Sequence, residues 1–143
     1  MYNALDIAKY IVIKCMNDGH PITNLYLQKL LFYIQREYLF STGEPLFRDS
    51  FEAWAFGPVV PKVYYRYCGF GGNEIDFLID TTIPKINRKD KKIINRITEA
   101  KRDLMPWDLV RETHQKGGAW DRVFNDGDGN RGLITKDYIR KYG

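Results

Sequence analysis

Phe51-Glu52-Ala53-Trp54-Ala55-Phe56-Gly57-Pro58-Val59-Val60-Pro61-Lys62-Val63-Tyr64 changes its local rule three times in one short run. Phe51 to Phe56 has no helical period and reads as a short aromatic strand. Gly57-Pro58 ends it, because glycine reaches positive φ while proline fixes its own φ and restricts its predecessor. Pro61 suits the first turn of a new helix, where the N–H it lacks would have no acceptor. Trp54 and Phe56 are two apart and share one strand face with Glu52. A carboxylate beside two aromatics needs a partner if it is buried. The stretch predicts a structural corner with a binding surface nearby.

Upstream, Leu5, Ala8, Ile11, Val12 and Cys15 follow a helical stripe over 4–17, with Asn3 as N-cap and Gly19 as stop. Thr23 caps the next helix, with Ile22 placed to pack back on Leu27. Leu27, Leu30, Leu31, Ile34 and Tyr38 form its stripe, carried through Phe40 to the stop at Gly43. About nineteen residues at ~1.5 Å each span roughly 29 Å, so this is the expected central helix. Tyr26, Gln28 and Tyr33 lie off the stripe and are candidates for a second layer or a partner. Residues 45–47 are expected to pair with 51–56 as a small antiparallel element, leaning on a helix to persist.

Downstream, a helix is expected from Pro61 to about Cys68, then a glycine-rich loop. Residues 73–86 show no clean period. Asn87 caps a helix from Arg88 to about Leu104, with Ile93, Ile94, Ile97, Ala100 and Leu104 inward and Asp90 in its first turn. Pro106 opens another helix to His114. Ala119–Phe124 is a helical turn, Leu133-Ile134 is extended, and Thr135 caps a last helix carrying Tyr138, Ile139 and Tyr142. The fold class is mainly α (α+β), a compact helical domain around one long central helix, with a two- or three-stranded antiparallel element near 45–56.

The 143 residues fit one domain, and 44% hydrophobic with 15% aromatic residues argue for a packed core. Two cysteines, Cys15 and Cys68, make no disulfide framework and are expected as reduced thiols in a cytoplasmic protein without a leader. No apolar run approaches the roughly 18–20 residues of a membrane span. The net charge of +4 is uneven. Residues 85–102 hold 8 Lys/Arg against 2 acids. Lys85, Arg88, Lys89, Lys91, Lys92, Arg96, Lys101 and Arg102 are therefore candidate nucleic-acid contacts, with a solvated helix face as the plainer alternative.

Catalytic chemistry is not indicated, and no cofactor is expected. With two histidines, His20 and His114, and no cysteine or histidine beside either at ligand spacing, a zinc site is not expected. No phosphate loop, nucleophile elbow or zinc-protease helix occurs. Asp126-Gly127-Asp128-Gly129-Asn130 spaces oxygens like a calcium loop, with Asp137 at position 12. Arg131, however, stands at position 6, where that loop needs glycine. It reads as a polar loop.

The chain resembles the Panacea domain family of SocA-like antitoxins, a group of phage-associated proteins. Leu27-Gln28-Lys29-Leu30-Leu31-Phe32-Tyr33, Gly43-Glu44-Pro45-Leu46, Glu52-Ala53-Trp54 and Gly57-Pro58-Val59-Val60-Pro61-Lys62-Val63-Tyr64 carry the likeness. Leu109, Thr113-His114-Gln115, Trp120, Ile134 and Tyr138-Ile139 continue it, so that 1–143 reads as a single Panacea-like domain. Gly117-Gly118-Ala119 departs from a more proline-containing lead-in to Trp120. The resemblance implies a non-enzymatic antitoxin that binds a cognate toxin encoded nearby, blocking it or delivering it to a protease, with a protease or chaperone as a further partner. Leu27, Gln28, Lys29, Leu30, Gly43, Pro45, Glu52, Trp54, Gly57, Pro58, Pro61, Tyr64, Thr113 and Trp120 are then frame residues. Tyr26, Tyr33, Lys62, Tyr65, Arg66 and His114, on or beside the motif blocks, are candidate toxin contacts, since tyrosine and arginine are enriched at hot spots.

Overall fold

A computed structural model describes residues 1–143, the side chain of Pro106 excepted. Its centre is helix α2, Asn24–Thr42, which packs against helices α1 (Ala4–Asn17), α3 (Pro61–Tyr67), α4 (Arg88–Lys101), α5 (Pro106–Thr113) and α7 (Lys136–Tyr142). Helix α6, Ala119–Phe124, packs on α7 and on a small sheet. The ends of α2 follow from its residues. Thr23 accepts from the Tyr26 N–H at 3.2 Å, and Gly43 closes the helix at φ 78. Asn3, Asn87 and Thr135 cap α1, α4 and α7 in the same way.

Leu27, Leu30, Leu31 and Ile34 are fully buried, and each contributes about 1.5–3 kcal/mol by leaving water. The stripe stops short of Phe40, which is 53% exposed. More of α2 is buried than one apolar stripe predicts, because it is surrounded: Gln28, Lys29, Tyr33 and Gln35 are buried as well. In α4, Ile94 and Ile97 point inward, but Ala100 is exposed and the helix ends at Lys101, before Leu104.

The sheet has the order β2-β1-β3, all antiparallel, from β1 (Phe51–Trp54), β2 (Gly57–Val59) and β3 (Gly132–Ile134). Its partners differ from those expected. The turn falls at Ala55-Phe56, and Gly57-Pro58-Val59 returns as a strand, with Pro58 opposite Ala53. Proline is tolerated because β2 is an edge strand. Residues 45–47 do not pair with 51–56. Phe47 makes a parallel bridge to Tyr2, and the Gln35 side chain occupies the neighbouring backbone. Gln35 accepts from the Leu46 N–H at 2.8 Å and donates to the Phe47 carbonyl at 2.9 Å. One turn-pair earlier, Gln28 accepts from the Val60 N–H at 2.9 Å. Asn24 donates to the Tyr64 carbonyl at 3.0 Å. Three amide side chains of α2 therefore hold the segments on either side of the sheet.

A candidate protein-binding face at the aromatic corner

Strand β1, its turn and helix α3 bring four aromatic rings together. Trp54 projects from β1 and meets Tyr64 at 5.0 Å, Phe56 at 6.0 Å and Tyr65 at 6.1 Å between ring centroids. Its indole N–H donates to the Glu52 carboxylate at 2.9 Å, which gives that carboxylate its partner. From the far end of the chain, the Arg131 guanidinium lies 4.2 Å over the Trp54 ring. Arg131 holds φ 64, and its N–H donates to the Ala53 carbonyl at 2.6 Å. A non-glycine residue at positive φ is uncommon and often marks function. Tyr65 at 56%, Phe56 at 39% and Leu133 at 58% exposure face outward. Lys62, Arg66 and Arg131 are exposed, with no carboxylate within ion-pair distance among the described residues.

Beneath the turn lies a largely buried polar support. The Lys29 ammonium is buried and donates to the Phe56 carbonyl. Burial pulls its pKa down to about 7. A Cβ on Gly57, which holds φ 125, would fall 1.8 Å from Lys29 Nζ and 3.4 Å from His114 Nε2. His114 stacks on Trp120 at 3.8 Å, and burial lowers its pKa. The Trp120 indole N–H donates to the Trp54 carbonyl at 2.7 Å. These contacts fix the corner from below, so the rings above are held in place before any partner arrives.

The residues expected as toxin contacts do not form one group. Lys62, Tyr65 and Arg66 share the exposed part of α3. His114 is half-buried in the support, and Tyr26 is half-buried in a hollow with His20, Pro21, Arg102 and Met105. Tyr33 is corrected outright. It is 1% exposed, its hydroxyl donates to Glu112, and its ring has the Lys101 ammonium at 4.5 Å and the Arg36 guanidinium at 4.9 Å. Burial, and then Glu112, push its pKa up.

The frame residues divide by role. Leu27 and Leu30 are core, Pro58 is buried in β2, Pro61 opens α3, Pro45 is half-buried, and the buried Thr113 hydroxyl donates to the Leu109 carbonyl at 3.2 Å. Trp54 is 5% exposed, lying under the Arg131 guanidinium, and Glu52 and Tyr64 are half-buried beside it. Phe56 was legible as aromatic but not as a contact, and Arg131 and Leu133 were missed. Only the misfit of Arg131 in a calcium-like loop pointed to it. That loop places Arg131 over tryptophan, while Asp137 pairs with Arg140.

Two basic candidates are also occupied. Arg102 pairs with Asp18 at 2.6 Å and Lys101 with Glu112 at 3.4 Å. Cys15 is buried and Cys68 exposed, both as free thiols.

The chain is a small, mainly helical protein with a braced aromatic and cationic corner. The chain belongs to the SocA-like antitoxin family, whose Panacea domain matches residues 27–121. It is also similar to antitoxin SocA of Caulobacter vibrioides (strain NA1000 / CB15N), at 33% identity over 155 residues. That alignment takes in 96% of this chain and 82% of the relative. No solved structure matches the chain.

Proposed function

We propose that this protein is an antitoxin that neutralises a cognate toxin by binding it directly through the aromatic corner, in the cytoplasm and without chemistry of its own. Family membership supports the role. The observation that carries the surface is the exposed group of Phe56, Tyr65 and Arg131, seated with the half-buried Tyr64 on a buried Trp54 and braced from below. Tryptophan, tyrosine and arginine dominate interface hot spots, and rings fixed in advance lose little freedom on binding. Lys62, Arg66 and Arg131 lack carboxylate partners among the described residues, so an acidic rim on the toxin is the complement.

Growth rescue by co-expression with the toxin encoded beside this protein tests the role. Wild type is expected to rescue. Tyr65→Ala with Arg131→Ala is expected to fail, with binding weakened by about 2 kcal/mol or more, roughly 30-fold. Rescue by a folded triple variant at Phe56, Tyr65 and Arg131 would remove the corner from the reading. Inhibition of purified toxin by purified protein distinguishes direct blockade from delivery to a protease.

A further inference from the structure

The outer face of α4 carries a row of cations that the fold does not use. Arg88, Lys92 and Arg96 recur every four residues and so stand along one side of the helix, with Lys89 beside them and Lys85 just before the helix begins. All five are exposed, and none lies within 4.0 Å of a carboxylate among the described residues. Nearby acids are engaged elsewhere. Asp90 is buried and accepts from the Tyr2 hydroxyl and the Asn87 amide, and Glu99 lies 3.5 Å from the Lys14 ammonium. Like charges four apart repel along a helix. Ile94, Ile97 and Thr98 are buried on the opposite side, so the helix cannot roll to hide the row.

We propose that this row binds the phosphate backbone of duplex DNA without reading its bases. The chemistry selects among polyanions. Protein interfaces centre on aromatic anchors and are poor in lysine, and this row holds no aromatic side chain. A helix lying on an anionic membrane inserts its apolar face, and here that face is in the core. Arg88 and Arg96 are separated by about 12 Å of helix rise, close to the width of the major groove of DNA, about 12 Å. Duplex RNA offers no such opening, its major groove being deep and narrow. Lys91 is half-buried, and Lys101 and Arg102 are ion-paired, so they stand outside the row. The row shares no residue with the aromatic corner and does not depend on the toxin reading.

Fluorescence anisotropy with a labelled random-sequence DNA duplex at 50 and 200 mM NaCl tests it. Four or five phosphate contacts predict an affinity loss of about 100-fold or more across that range, at a log–log slope of about −0.9 per contact. Lys89→Glu with Lys92→Glu is expected to abolish binding with the circular dichroism unchanged. The milder Lys89→Gln with Lys92→Gln is expected to reduce the slope by about 1.8, and Lys141→Glu on α7 to leave the DNA affinity unchanged. The proposal fails if the duplex is not bound at 50 mM, or if both double variants bind like wild type. It fails equally if duplex RNA or phosphatidylglycerol vesicles are bound more tightly than the DNA.

Discussion

Arg131 and Gly57 show how single residues build the corner. A left-handed arginine costs about 1 kcal/mol of backbone strain, and its ring contact returns about as much when partly shielded. Arg131→Gly is therefore expected to leave the urea midpoint within about 1 kcal/mol of wild type while weakening toxin rescue. A fall in both would show that the arginine serves the fold first. Gly57→Ala is different. Its φ of 125 suits glycine, and the added carbon would meet the Lys29 ammonium. A loss of about 2–4 kcal/mol is expected from urea unfolding. The need for glycine at 57 was legible from its neighbour Pro58. The buried ammonium was not, because a lysine within a motif block gives no sign of which way it points.

At the scale of elements, α2 acts through its glutamines as much as through its leucines. Gln28 and Gln35 are seven apart, so they lie on one side of the helix, and both are fully buried. Gln35→Leu would strip partners from the Leu46 N–H and the Phe47 carbonyl. Thermal unfolding is expected to show a loss of about 2–4 kcal/mol, since each orphaned backbone group costs about 1–3. A near-neutral result would mean that water enters and takes over. Helix limits were readable because caps and stops are local chemistry: Asn3, Thr23, Gly43, Asn87 and Thr135 each stand where expected. Strand partners were not readable, since pairing joins residues far apart and nothing in 45–47 records that a glutamine side chain takes its backbone. Residues 73–86 lacked a period for a physical reason. Ile75 is buried and Ile79 is 98% exposed, with neither in a regular element.

The whole molecule carries a pH dependence that starts at Lys29. Its folded pKa of about 7 lies below the usual lysine value, so between pH 7 and 10 the unfolded chain holds a proton that the folded chain has lost. Stability is therefore expected to rise with pH across that window, by up to about 1.4 kcal/mol per unit, and to be lost as pH falls towards 7. His114, lowered by burial, acts with the same sign around pH 6.5 and below. Cys15, raised by burial, opposes the trend once pH passes the ordinary thiol range of about 8.5, and Tyr33, raised likewise, only above pH 10. Urea midpoints from pH 7 to 8, below the thiol range, should climb for wild type and stay flat for Lys29→Met; an equally steep variant would place the proton elsewhere. Order of synthesis adds a separate consequence. Phe51 pairs with Ile134, and Arg131 reaches Trp54 from the same late segment. On the ribosome, the middle strand waits with one bare edge and the tryptophan stays uncovered until that segment emerges. The surface is therefore completed only after residues 131–134 have followed the middle strand out of the ribosome.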